Sequence, residues 1–202
     1  MTEVDRAWTA IDGWLERNAP ASARAQHPPA DPAAIAAAEQ ALGLTFPADV
    51  RASLRHHDGQ PAYGTDLPGY PLLTVDRMVE VRQMMLRVHG DDVGRGDDDG
   101  GYLWHEAWLP VTEMDGDMFF VDLHPGPGYG RFGWYPRDDA WTFDEGARTF
   151  AAHLTQVAAA LTSGGDVDGE YPYVTESGTL VWAPHGEEST DDGERLVPVP
   201  AS

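Results

Sequence analysis

The chain has 202 residues, with thirteen arginines, no lysine and no cysteine, set against 34 aspartates and glutamates for a formal net charge of −21. That charge repels phosphate backbones and anionic lipid, so binding to nucleic acid or a membrane surface is not expected. The absence of cysteine removes disulfides, thiolate metal sites and cysteine nucleophiles. The length suits one domain whose core needs no staples.

The charged start, Met1-Thr2-Glu3-Val4-Asp5-Arg6, lacks the apolar run of a signal peptide. The longest alanine-rich stretches, at 33–38 and 157–161, fall far short of the ~20 apolar residues of a membrane span. A cytoplasmic protein is the expectation.

In chain order, Val4, Trp8, Ile11 and Leu15 recur at helical spacing and predict a first amphipathic helix. Asn18 to Pro29 reads as a connector. Asp31-Pro32 is a helix start, because Asp caps exposed amides and Pro at the first turn has no amide to waste. That helix carries Ile35, Ala38 and Leu42 and stops at Gly43. Pro47 opens a third helix that ends at His57-Asp58-Gly59, and residues 60–71 read as a loop. Leu72-Leu73 suggests a short strand. A fourth helix follows, with Met78, Val81, Met85 and Val88 on one face and Gly90 past its end.

The period then changes to two. Residues 107–112 and 118–123 flank Asp115-Gly116, a hairpin turn in which both central residues tolerate positive φ. Arg131 to Tyr135 predicts another strand. Thr142 and Glu145 are read as a capping box opening the longest helix, with Phe143, Phe150, Leu154, Val157 and Leu161 on its stripe and Gly164-Gly165 at its end. Val174 and Leu180 to Ala183 suggest a last hairpin. Helices, then an antiparallel β meander, then a closing C-terminal helix make an α+β fold. It is expected as one domain over residues 1–183, followed by an acidic, Pro-containing tail, 184–202, expected to be disordered.

Charge is unevenly divided: residues 1–90 hold eight arginines and eleven acids, residues 91–202 five arginines and twenty-three acids. One acidic cluster is Asp91-Asp92 with Asp97-Asp98-Asp99, among glycines. Counted as a calcium loop from Asp97, the sixth residue is Tyr102 and the twelfth Trp108, so the EF-hand order fails.

Other motifs are equally thin as chemistry. Gly128-x-Gly130-x-x-Gly133 is a literal GxGxxG, but Trp134-Tyr135-Pro136 follows it where a dinucleotide site needs a helix. A tight turn is the better reading. His56-His57-Asp58 could be a ligand or acid–base cluster, yet adjacent helical histidines point about 100° apart and no HExxH spacing exists. Helix termination by Asp58-Gly59 is favoured. No nucleophile elbow is present, so neither catalytic residues nor a cofactor or metal is expected.

Asp122, between Val121 and Leu123, is read as facing solvent by alternation or as half-buried and hydrogen-bonded. Among the tryptophans, Trp8, Trp108 and Trp134 read as core. Trp104, beside Gly100-Gly101, is the one most open to exposure, and an exposed tryptophan near acids is a common interface anchor. The candidate partner contacts are therefore Asp97, Asp98, Asp99, Trp104 and Asp122.

Taken in order, these features resemble the SMI1/KNR4 (SUKH) family. The resemblance rests on Trp8 with Ile11-x-x-Trp14-Leu15, on Ile35-x-x-x-Glu39-x-x-Leu42-Gly43-Leu44-x-Phe46-Pro47-x-Asp49, and on His57-Asp58-Gly59. It continues at Trp108-Leu109-Pro110-Val111, the Asp-Gly turn, Val121-Asp122-Leu123-x-Pro125-Gly126 with Gly130, and the helix near Phe143 with Phe150. It covers about residues 4–163. It implies an α+β fold without catalytic residues. Bacterial members of the family look like immunity proteins that block a toxin domain, often a nuclease. Fungal members look like regulators of cell-wall synthesis acting through protein contacts.

The expected function is non-catalytic binding of a cognate toxin or other basic protein. The alternatives are a regulatory interaction module and, from another class, a hydrolase using His57, Asp58 or Asp122. Replacing Asp97, Asp98 and Asp99 with asparagine is expected to slow association with that partner and flatten its salt dependence, as read by stopped-flow kinetics. Unchanged kinetics would remove this loop from the binding surface.

Overall fold

The structure, a computed structural model, describes residues 1–61, 67–68, 70–96, 103–143 and 148–200. Helix α1 (Glu3–Asn18) begins at Thr2, whose hydroxyl accepts the Asp5 N–H while the Asp5 carboxylate accepts the Thr2 N–H at 2.7 Å. That backbone bond, with a second from His56, holds the Asp5 carboxyl down at about 2. The predicted stripe buries Val4, Trp8, Ile11 and Leu15, with Ala7 and Trp14, against α4 (Ala48–Leu54) and α6 (Phe150–Ser163). Each large apolar side chain so buried is worth roughly 1.5–3 kcal/mol. The indole N–H of Trp8 donates to Ser53 Oγ at 2.9 Å, so its one polar atom is satisfied inside.

The connector contains an unexpected short helix, α2 (Pro20–Ala25). A distant hairpin holds it: Ala21 N–H donates to the Gly178 carbonyl, and Ser22 Oγ accepts the Leu180 N–H. Helix α3 (Pro32–Leu42) is as expected, with the Asp31 carboxylate accepting the Ala33 N–H and Gly43 left-handed at φ +64°. Glu39 then closes the turn into α4 by accepting the Phe46 N–H at 2.7 Å.

Helix α5 (Val75–His89) buries Met78, Val81 and Met85, but its fourth predicted core residue, Val88, is exposed. Arg82 is buried in its place and donates to the Glu106 carbonyl; burial pushes its guanidinium below the usual range. The face turns because α5 packs on the sheet as well as on α3.

A short 3₁₀ turn at Gly90–Asp92 leads into a parallel pair, β1 (Val93–Gly94) with β2 (Trp104–His105). The main sheet is antiparallel in the order β3 (Trp108–Pro110), β4 (Met118–Asp122), β5 (Phe132–Tyr135), β6 (Thr142–Phe143). Asp115 and Gly116 both take positive φ, 54° and 97°, as the hairpin signal requires. Leu72 contributes only an isolated bridge to Thr112 rather than a strand.

Other boundaries differ from expectation as well. Thr142 and Phe143 belong to β6, and α6 starts at Phe150 with Thr149 Oγ1 accepting the Ala152 N–H. Pairing of Thr142 with Trp134 outweighs the local capping pattern; Glu145 lies outside the described residues. The tail is likewise built in rather than disordered. In the second sheet, β7 (Glu170–Thr175) lies between β8 (Leu180–Pro184) and β9 (Leu196–Pro198). Leu196 is buried, Val199 N–H donates to the Pro172 carbonyl, and Glu194 accepts the Ser177 N–H at 2.6 Å. No helix among the described residues is long and apolar enough to cross a membrane.

The third predicted helix, α4, ends at Leu54 with Arg55 as its cap and not at His57-Asp58-Gly59; Asp58-Gly59 instead clamps the turn after it to α5. Asp58 Oδ1 accepts the Val75 N–H at 2.8 Å, and Gly59, at φ +73°, runs against the backbone of 72–74. A Cβ there would lie 2.5 Å from the Thr74 nitrogen, whereas one on Gly43 meets nothing within 4 Å. Gly59→Ala is therefore expected to cost more than about 3 kcal/mol in urea unfolding, and Gly43→Ala about 1 kcal/mol. Equal losses would refute the clamp.

Candidate functional site

The structure redistributes the residues nominated from sequence. Asp97, Asp98 and Asp99 lie outside the described residues. Trp104 is wholly buried, edge-on to Trp108 at 5.3 Å, to Phe120 at 5.8 Å and to Tyr135 at 5.5 Å. It is a core residue and not an interface anchor, because β2 delivers it between α5 and the sheet. Asp122 is also corrected. It is 2% exposed, receives Arg131 at 2.7 Å on Oδ2, and accepts the His124 N–H on Oδ1. A carboxylate held in this way fixes the β4–β5 end and is closed to a partner.

The histidine cluster is a joint between elements. His57 Nε2 meets Asp12 of α1 at 3.0 Å, its Nδ1 meets the His27 carbonyl at 2.8 Å, and its ring lies edge-on to Trp8 at 4.8 Å. His56 reaches Asp5 at 3.2 Å, and His27 Nδ1 meets the Asp58 carbonyl. These contacts fasten α1, α4 and the connector. No group of three or more His, Asp or Glu residues that could hold a metal occurs among the described residues. The GxGxxG glycines form a turn into β5, with Gly130 at φ +83°.

A cleft of about 380 Å³ that the sequence reading missed opens on the other face of the main sheet. Phe119 and Trp134 are directly opposed across β4 and β5. Trp134, expected in the core, is 39% exposed. Behind it the rings form a ladder: Tyr70 lies 5.7 Å from Phe119, Phe119 stacks on Phe132 at 4.9 Å, and Phe132 stacks on His153 of α6 at 5.0 Å. Period-two alternation, which puts Phe119 and Trp134 on one face, was the available signal. What it lacked was the extent of cover by α6.

The cleft is acidic as well as aromatic. Asp168 and Glu170, before and at the start of β7, line it, and Arg148, also in the lining, donates to Asp168 at 2.9 Å and to Gln156 at 2.8 Å. The Tyr70 hydroxyl donates to Asp117 at 3.1 Å. Burial first, then that bond, holds the hydroxyl above the usual phenol range; the Trp134 indole opposes this, and the charges of Asp117 and Glu170 add to it. Flat π faces beside carboxylates suit recognition.

Comparison with known proteins gives the lineage. A family model described as the SMI1 / KNR4 family (SUKH-1) matches residues 29–157. The KNR4/SMI1 homolog of Kluyveromyces lactis is 46% identical over 60 residues, which is 30% of this chain and 11% of that protein. The corresponding Eremothecium gossypii protein is 46% identical over 60 residues, 30% of this chain and 9% of its own length. The cell wall biosynthesis/cell cycle regulator smi1 of Schizosaccharomyces pombe is 28% identical over 185 residues, 80% of this chain and 36% of that protein. The chain thus spans between about a tenth and about a third of these curated relatives.

The matched span contains Glu39, Asp58, Gly59, Trp108 and Asp122, each of which supports the framework here. Asp122→Asn is accordingly expected to lower stability by about 1–3 kcal/mol, the loss being limited because Arg131 is 35% exposed and can rehydrate. The urea midpoint reads this. A midpoint that stays put while partner binding collapses would restore Asp122 as a contact.

Proposed function

The chain belongs to the SMI1/KNR4 family, and on that premise we propose that it is a non-catalytic protein-binding module of the immunity type, which neutralises a basic toxin domain by covering it. The observation that carries this is the charge, −21 overall, with twenty-three of the acids in residues 91–202. Asp91, Asp92, Asp138, Asp139, Glu187 and Glu188 are all exposed. A nuclease toxin must hold a polyanion, so its cleft is basic, and a carboxylate-rich inhibitor exploits the same attraction. Such steering supports association at ~10⁸ M⁻¹s⁻¹ or faster at low salt. Isolated pairs at an exposed rim add only about 0–1 kcal/mol each, so most of these acids act on rate rather than affinity.

A second reading is favoured by the smi1 match, which covers 80% of the chain: a regulatory module with an endogenous partner. That Schizosaccharomyces pombe relative carries the name of a regulator.

The test is co-expression with any toxin domain found encoded beside it, followed by surface plasmon resonance. A stoichiometric complex is expected, with an association rate that falls at least roughly tenfold between low and high salt. Failure to bind or inhibit that toxin, with a housekeeping protein captured from resting cells instead, would replace the immunity reading with the regulatory one.

A further inference from the structure

The fold already holds two of its own arginines by one device, an aromatic face with a carboxylate beside it. The Arg131 guanidinium carbon lies 3.7 Å from the Phe143 ring centroid while its Nη2 meets Asp122 at 2.7 Å. The Arg148 guanidinium lies 5.6 Å from the Phe132 centroid while its Nη2 meets Asp168 at 2.9 Å. Both involve β5 or its neighbour β6. The cleft beside them repeats the ingredients: Trp134, which is exposed, with Tyr70 and Phe119, and Asp168 and Glu170 in the same lining.

We propose that this cleft receives an arginine side chain of a basic protein partner, its guanidinium stacked on Trp134 in the field of the Asp168 and Glu170 carboxylates, the first of which also holds Arg148. This deepens, and rests on, the protein-binding reading above. Charge selects the occupant. Asp168 and Glu170 line the cleft, Asp117 stands behind the Tyr70 hydroxyl, and Arg148 is the one cation among the described lining residues. Arg137, nearby, turns its guanidinium to the Asp115 carbonyl and Asp138. An anionic guest would meet this excess of carboxylates, whereas a cation gains from it.

Shape narrows the choice further. A cleft of about 380 Å³ takes side chains and not a folded element. Its walls are flat rings, and tryptophan is the best cation–π partner. The planar, weakly hydrated guanidinium stacks and pairs at once, whereas the compact, strongly hydrated lysine ammonium acts as a point charge.

The experiment titrates a hexaarginine peptide into the intact protein by isothermal calorimetry, with a hexacitrulline peptide as the neutral, equally planar control and hexalysine as the ammonium control. Hexaarginine is expected to bind most tightly and hexacitrulline not measurably. Trp134→Ala should weaken hexaarginine by about two- to thirty-fold, while Trp134→Phe keeps most of the affinity. Circular dichroism and a thermal melt verify that each variant is folded, as expected for an exposed side chain. Glu170→Gln provides an independent second variant, expected to weaken hexaarginine and flatten its salt dependence.

Hexaarginine that fails to bind, or binds Trp134→Ala as tightly as the parent, would overturn the proposal by assigning the attraction to the general acidic surface. Retained binding of a protein partner alongside such a result would sink only the arginine site. Loss of any protein partner would sink the reading beneath it.

Discussion

Core and cleft both depend on one register, that of β4 against β5. Gly133 lies opposite Phe120, and a Cβ on it would come 2.4 Å from the Cζ of that ring. The ring therefore lies over bare backbone, where it stacks on Trp108 at 4.1 Å and meets Trp104 at 5.8 Å. Because side chains alternate, the same pairing sends Phe119 and Trp134 to the opposite face as a directly opposed couple. A slip of one residue would exchange the two sets and destroy both. The Asp115-Gly116 turn, with two positive-φ residues, sets the β3–β4 partner in step.

The acidic residues divide into two populations with different physics. Glu39, Asp58 and Asp122 are spent on backbone amides and, in two cases, on an arginine: Glu39 on the turn into α4, Asp58 on the start of α5, Asp122 on Arg131 and the His124 amide. Asp122 is buried and Glu39 and Asp58 are half-buried, and a carboxylate withdrawn from water in this way is tolerable only with such partners. The second population sits on the surface of the later half, where water screens each charge but the sum still shapes the long-range field. An interface built from such a surface recognises slowly varying charge at a distance and needs a local anchor for affinity. The Trp134 cleft is where aromatic area and carboxylates coincide.

The residues that carry the sequence resemblance make the same point from another direction. Trp8, Glu39, Asp58, Gly59 and Trp108 hold helices to one another or seat the sheet. In this chain they build a scaffold. The surface it carries, including the β7–β9 sheet beyond residue 157, lies partly outside the matched span.

Local pattern determined α1, α3, α4 and α5, the Asp115-Gly116 hairpin, the β7–β8 hairpin and the left-handed stop at Gly164, because each is specified by periodicity and caps within a few residues. It also determined the sign and uneven distribution of charge. Tertiary structure alone decided that Trp104 and Asp122 are enclosed and Trp134 is not, since burial depends on which element covers a face and not on a residue's neighbours in sequence. It decided that Thr142 joins a strand and that the tail closes a sheet, because pairing with Trp134 and with β7 supplies hydrogen bonds that local capping and acidic composition do not foretell. The cleft belongs to this second class: its rings come from residues 70, 119, 132 and 134 and its carboxylates from 168 and 170, and only the packed chain brings them together.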